Sequence, residues 1–153
     1  MIELRDSIAI DVAPARVWEW LRQLPHHYRE WHPAHLSCRY ERGESLAVGT
    51  VLDVEEDLHG RRHRLRLRAT EVVPGRLVRY RDHGFSGAFL IEPDGAGSRF
   101  TAELRFGVRV PVVGRALDWL ARRLLARQLA AIQAHMREEG ANLKRLLERD
   151  PAA

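Results

Sequence analysis

The sequence is short of residues that would staple or anchor it. Its 153 residues contain one cysteine, Cys38, so no intrachain disulfide and no cysteine metal cluster can form. That suits a reducing compartment, and the cytoplasm is the expected location. There is one lysine, Lys144, so the formal charge of +4 rests almost wholly on arginine. The arginines are spread out: Arg62, Arg64, Arg66 and Arg68 alternate along one stretch, and Arg115, Arg122, Arg123 and Arg127 dot another. No stacking aromatics interleave them, so they read as solvated faces and nucleic acid is not expected as a partner. No apolar run approaches a membrane span, so no membrane insertion is expected. The opening MIELRDSIAI carries Glu3, Arg5 and Asp6, which argues against a signal peptide. Internal repeats, low-complexity tracts and linkers are also missing. Residues 1–153 therefore read as one domain, and 45% hydrophobic residues supply it with a core.

What is present is a change of period along the chain. Leu4, Ile8, Ile10 and Val12 share one parity and predict a strand over about residues 2–12. Pro14 suits a first helical turn, and Val17, Trp18, Leu21 and Leu24 give a helical stripe. A second short helix over His26 to Trp31 must end near Pro33. From Leu36 to Val110 the period is two, with glycine and proline at the breaks. Six strands fit there, roughly 36–42, 49–57, 61–73, 76–82, 86–92 and 98–110, joined by short turns as an antiparallel meander. Leu65, Leu67 and Ala69 face one way and the arginines of that strand the other, so one face is buried and one is wet. Beyond Pro111 and Gly114 the pattern is helical to about Glu148, which predicts one helix of over thirty residues rich in good helix formers.

This order of elements, with Ile8-x-Ile10, Ala13-Pro14, Val17-Trp18, Leu21 and then Trp31-x-Pro33, resembles the helix-grip fold of the START-like, polyketide cyclase and birch-pollen-allergen superfamily (SRPBCC). The resemblance implies an α+β fold. A curved seven-stranded antiparallel sheet would wrap around a long C-terminal helix, with two short helices after the first strand. It also implies a cavity between sheet and helix for a small hydrophobic or aromatic ligand. The residues expected to line it are Trp18, Trp31, Leu52, Val54, Leu65, Leu67, Tyr80, Phe89, Leu104 and Phe106.

The long helix carries ionisable groups on its apolar face. With Ile132 as the centre and about 100° per residue, Ala121, Leu125, Leu143 and Leu146 fall within about 40°, and Leu129 and Leu147 at about 60°. Glu139 lies about 20° from that centre and His135 about 60° to one side, whereas Glu138 is about 120° away and expected to be solvated. A carboxylate within an apolar stripe is unfavourable without a partner. The plain use of an i, i+4 His–Glu pair is a hydrogen bond or salt bridge; the functional use is to hold one metal ion.

A third group comes from the sheet. If Val54 pairs with Leu65 and Leu52 with Leu67 across the Leu58-His59-Gly60 turn, Glu56 pairs with His63 on the same inner face. Asp53 and Glu55 then point outward. After Pro33, His35 enters the next strand beside the cavity mouth, with His32 as the alternative; His26 and His27 are expected to be exposed. His35, Glu56, His135 and Glu139 form a set of nitrogen and oxygen ligands that suits zinc, with iron, nickel or manganese possible.

YREWHPAH (Tyr28 to His35), EEDLHG (Glu55 to Gly60) and HMREEGANLKRLL (His135 to Leu147) are similar to segments of the diacetylphloroglucinol hydrolase and phloretin hydrolase family. The resemblance implies a zinc enzyme that cleaves a carbon–carbon bond beside an aromatic ketone. By position it implies His35, Glu56, His135 and Glu139 as zinc ligands. Candidates for the general acid are His63, Tyr28 and Tyr80. Two other readings stay open: a non-catalytic carrier of a hydrophobic ligand, and a cyclase that folds a polyketide without metal.

Overall fold

The period-two region forms one sheet. The computed structural model describes residues 1–107 and 114–149. Its elements are β1 (Ile2–Ile10), α1 (Pro14–Arg22), α2 (Leu24–Trp31), β2 (His35–Arg42), β3 (Val51–Leu58), β4 (Arg61–Val73), β5 (Leu77–Arg81), β6 (Phe85–Asp94), β7 (Gly97–Phe106), α3 (Gly114–Leu124) and α4 (Ala126–Arg149). The seven strands are antiparallel in the order β1-β7-β6-β5-β4-β3-β2, so β1 closes on β7 and the rest is a meander. With α4 packed against β1 and β7, this is the helix-grip architecture.

Local chemistry sets the parts that matter for the site. Pro33 forbids helical backbone at His32, which is extended at φ −150° and ψ 143° and ends α2. A turn bond from His35 N–H to the His32 carbonyl, 3.0 Å, then delivers His35 as the first residue of β2. The β3–β4 hairpin has a two-residue loop, His59-Gly60, with φ of 57° and 76°. Both residues lie in the left-handed region that a tight primed hairpin turn demands. That turn fixes the register: Val54 opposes Leu65, Leu52 opposes Leu67 and Glu56 opposes His63, as the parity predicts. On its other side Glu56 opposes His35 of β2.

The core joins the inner sheet face to all three packed helices. Leu52, Val54, Ile91, Phe100 and Ala102 meet Val17, Trp20 and Leu21 of α1, Leu24, Tyr28 and Trp31 of α2, and Met136, Leu143 and Leu147 of α4. Each large side chain buried this way contributes about 1.5–3 kcal/mol relative to exposure. Gly140 lets α4 come close to β1, since a Cβ there would lie 3.3 Å from Asp6 Oδ2 and 3.5 Å from Ile8 Cγ2.

The structure corrects the C-terminal helix. It is two helices with a turn at Leu125, although no proline or glycine falls there. The division follows docking: α4 lies on the sheet, whereas α3 is tied by Asp118 to the N-terminal ammonium of Met1 and leaves Leu117, Leu120 and Leu124 exposed. Leu125, expected in the buried stripe, is 44% exposed, and Leu129 is half-buried. The buried face is Met136, Gly140, Leu143 and Leu147, whose centre is turned about 50° from Ile132 at about 100° per residue. Strand ends also shift: β1 stops at Ile10, and β7 stops at Phe106. The expected continuation over residues 108–110, and the break at Pro111, lie outside the described residues. Arg115 and Ala121 fall in α3, but their side chains are likewise not described. Among the described residues no helix is long and apolar enough to cross a membrane.

Candidate functional site

A cavity of about 210 Å³ lies between the inner face of the sheet and α4. Trp31, Val54, Leu65, Leu67, Tyr80, Phe89, Leu104 and Phe106 line it as expected. Two expected residues do not. Leu52 borders an adjoining void of about 30 Å³ with Leu67, Tyr80 and Phe89. Trp18 packs on the core from the flank of α1, because that helix buries Val17, Trp20 and Leu21 instead. Leu24, Leu58, Phe85, Ala102, Ala131, Ile132 and Met136 also reach the cavity wall. Phe85 and Ala102 share the inward parity of Phe89 and Leu104; Phe85 was missed because β6 starts one residue earlier than its pattern suggests.

One end of the cavity is ionisable. Glu139 and His135 of α4, Glu56 of β3 and His35 of β2 converge there, as the helix spacing and strand register predict. His35 Nε2 lies 2.8 Å from Glu139 Oε1 and 3.9 Å from Glu56 Oε1, and His135 Nε2 lies 3.3 Å from Glu139 Oε1. The His135 contact lacks hydrogen-bond geometry, so its Nε2 is buried without a hydrogen-bond partner. His35 Nδ1–H donates to the Tyr28 carbonyl at 3.0 Å. In the neutral ring this leaves the Nε2 lone pair facing a carboxylate, an arrangement that needs a proton or a cation between them.

Each remaining group has a defined place. The Tyr28 hydroxyl donates to Glu56 and its ring stacks on His35 at 4.0 Å. Tyr28 therefore holds Glu56 and does not face a ligand as a free acid. His32 also reaches the cluster, and its ligand atom lies within 4.8 Å of those of His35 and His135. Both of its nitrogens are engaged, however: Nδ1 accepts from Ala34 N–H at 3.0 Å and Nε2 donates to Glu138 at 2.7 Å. Glu138 is solvent-facing as expected, and its hold on His32 has no signal in the helical pattern. His63 is exposed at the cavity rim, and His26 is exposed. His27 is only half-buried and stacks on Trp20.

Charge within the cluster is polarised. Burial pushes the Glu139 carboxyl up, but contacts with His135 and His35 outweigh it and hold Glu139 at about 2. Burial pulls His135 down, but Glu139, then Glu56 and Glu138, raise it above its ordinary value. Burial, followed by the nearby carboxylates, drives the phenols of Tyr28 and Tyr80 well above the usual range, so both stay protonated. The end of the cavity can thus present to a polar atom of a ligand a carboxylate and an imidazole whose protonated form its acidic neighbours favour.

The family described as polyketide cyclase/dehydrase and lipid transport matches residues 1–148. The chain belongs to that family. No curated protein sequence matches it. Among solved structures it is similar to the protein TTHA0849 of Thermus thermophilus, with 17% identity and a TM-score of 0.71, covering 94% of this chain and 95% of that one. It is similar to StfQ, the di-domain ARO/CYC of the steffimycin biosynthetic pathway, with 18% identity and a TM-score of 0.73, covering 99% of this chain and 52% of StfQ. It is also similar to Ara h 8.0201, with 15% identity and a TM-score of 0.56, covering 88% of this chain and 97% of that one. At these identities the likeness is one of fold, and the helix-grip superfamily expected from the sequence is the one found.

Proposed function

We propose that the chain binds a small, mainly apolar molecule in the cavity, with an oxygen of that molecule directed at Glu56, His135 and Glu139. The observation that carries this reading is the division of the wall: aliphatic and aromatic along its length, ionisable at one end. A cavity of about 210 Å³ is below the roughly 300–1,000 Å³ of pockets for drug-sized ligands. It favours a compact aromatic of one or two rings, such as a polyketide fragment, over a long acyl chain. His135, whose protonated form the Glu139 carboxylate favours, can donate to a carbonyl oxygen and take the proton back, which is the acid–base help a cyclisation needs. Displacement of an apolar fluorescent probe from the purified protein tests this. Phenolic ketones should displace the probe and long-chain fatty acids should not; indifference to both classes rejects the reading.

A second reading, a metal-dependent hydrolase of aryl ketones, is favoured by the orphaned Nε2 of His135 and the lone pair that His35 turns toward Glu139. In this reading His35, Glu56, His135 and Glu139 hold zinc or another divalent transition metal. Their contacts of 2.8, 3.3 and 3.9 Å bracket the roughly 3.3–3.6 Å between neighbouring ligands of a tetrahedral zinc. Bound zinc supplies water of lowered pKa and polarises a carbonyl. The chain's own groups orient the set: the Tyr28 carbonyl fixes the His35 tautomer, the Tyr28 hydroxyl holds Glu56, and the apolar walls exclude bulk water. Hydrolysis would add hydroxide to the acyl carbon and a proton to the departing ring carbon, with His63 or Tyr80 as the proton source. Elemental analysis and melting curves with and without zinc test it. Metal-free protein with an unmoved melting temperature ends this reading and leaves the first intact.

A further inference from the structure

The outer face of the sheet holds a second concavity of about 570 Å³, on the opposite side from the cavity and built from different chemistry. Four arginines, Arg66, Arg68, Arg81 and Arg105, border it against one aspartate, Asp82. The register lines three of them up across the strands: Arg68 opposes Arg81, Arg81 opposes Ser86, and Ser86 opposes Arg105. Like charges placed directly opposite across a sheet destabilise it. Most arginines on this face are relieved by a carboxylate. Asp53 takes Arg39 and Arg64, Glu41 takes Arg66, Glu71 takes Arg79, and Asp94 takes Arg99. The side chains of Arg68 and Arg81 have no ion pair or hydrogen bond among the described residues. Asp82 makes no ion pair with either among the described residues; its two oxygens accept the backbone N–H groups of Arg66 and His83. Arg105 holds Glu3 and Glu103 only at 3.5 and 3.6 Å, and its Nε is buried with no acceptor.

We propose that this groove binds the phosphate group of a small molecule, with Arg68 and Arg81 clamping it and Ser86 and Arg105 beside them. Two guanidiniums on adjacent strands stand about 4.5–5.5 Å apart at their Cα atoms, close enough to share one tetrahedral anion. Planar guanidinium donors match phosphate oxygens in pairs. The volume exceeds a lone phosphate, so a diphosphate or a phosphate ester with an organic remainder fits it better. The site is independent of the inner cavity and of either reading of it.

Pyrophosphate titrated into the purified protein at constant ionic strength is the test, read by calorimetry and by melting temperature. Pyrophosphate should raise the melting temperature where matched chloride does not. Arg68→Gln and Arg81→Gln should each weaken pyrophosphate binding by about tenfold or more. Without pyrophosphate, both variants should melt no lower than the parent, because each removes a like-charge pair, so weaker binding will not reflect misfolding. Arg62→Gln, an exposed arginine of the same strand outside the groove, should bind as the parent does. Equal response to chloride, or equal loss in Arg62→Gln, means a diffuse cationic field and overturns the site. Sedimentation with phosphatidic acid vesicles in the absence of any pyrophosphate response overturns the small-molecule assignment in favour of a lipid surface.

Discussion

Oε1 of Glu139 lies 2.8 Å from Nε2 of His35, a residue 104 positions earlier in the chain. The contact closes the polar end of the cavity by joining α4 to the start of β2. Since His35 Nδ1–H is engaged with the Tyr28 carbonyl, a proton or a cation must sit between the two groups. Glu139→Gln keeps the volume and removes the anion. If the cluster holds zinc, the rise in melting temperature on adding zinc should vanish in this variant, by loss of ligand-linked stabilisation. Apolar probe binding in the cavity should persist. An undiminished zinc response in Glu139→Gln would remove Glu139 from the ligand set.

Asp53 predicts how the fold responds to acid. It faces outward from β3, as parity expects, yet only 4% of it is exposed, because Arg64 and Arg39 cover it. Hydrogen bonds from Arg64 first, then Arg39, hold its carboxyl well below the ordinary 3.8. A depressed folded-state pKa adds stability that is fully present above the unfolded value and fades as pH falls toward the folded one. Asp53→Asn should therefore melt below the parent at pH 5–7, and the gap should narrow below about pH 4. Parallel melting curves of parent and variant down to pH 2 check this; a gap that widens in acid contradicts the assignment.

The candidate site was readable where one local rule decided it. Glu56 needed only the parity of β3 and a two-residue turn, and the His135–Glu139 pair needed only i, i+4 spacing. The phase of α4 is not readable to better than about 50°, because Leu125 and Leu129 fit the apolar stripe although Leu125 is exposed in the turn before α4 and Leu129 is only half-buried. The correct phase puts Gly140 against β1 and leaves Glu139 and His135 on the edge that borders the cavity, where ionisable groups cost less than at the centre. Contacts made by chain closure were invisible: His32 with Glu138 and Tyr28 with Glu56 each join elements whose adjacency no periodicity encodes. The arginines of β4 read as a uniform wet face, and only the strand order separates the paired Arg64 and Arg66 from the unpaired Arg68.

Leu143 and Leu124 should separate by burial alone. Leu143 is 0% exposed and Leu124 69% exposed. Leu143→Ala should lose about 2–5 kcal/mol in a urea melt, while Leu124→Ala should stay within about 0.5 kcal/mol of the parent. A large loss at Leu124 would mean that α3 is docked in solution.

Gly87 gives the cavity its shape. It opposes Tyr80 across β5 and β6, and a Cβ at this position would occupy the space of the Tyr80 ring. Gly87→Ala must push that ring aside, at a cost of about 1–3 kcal/mol for overpacking, and should weaken probe binding. Removing the ring in Gly87→Ala/Tyr80→Ala should recover part of the stability relative to the sum of the single changes, because the two residues share one space. Strict additivity in the double mutant would show that Tyr80 does not occupy that space in solution.

Tyr28→Phe tests whether Glu56 is held for a purpose. The phenol keeps its proton, since burial and then Glu56 raise it far above its ordinary value, and it donates that proton to Glu56. Phenylalanine preserves the ring stacked on His35 and deletes only the donor. Glu56 is then left part-buried without its phenol donor, which should cost about 1–3 kcal/mol of stability. If Glu56 ligates a metal, loss of the group that orients it should also weaken zinc binding by about 10–100-fold. The two readings of the cavity diverge here. A carrier that binds no metal loses stability in Tyr28→Phe and shows no zinc response before or after the change. A metal enzyme loses zinc affinity as well, and Tyr28→Phe made in a Glu56→Gln background should add little further loss, because Tyr28 acts on the ion only through Glu56. Zinc affinity unchanged in Tyr28→Phe, in a parent that binds zinc, would exclude Glu56 as a ligand and leave the ion on His35, His135 and Glu139.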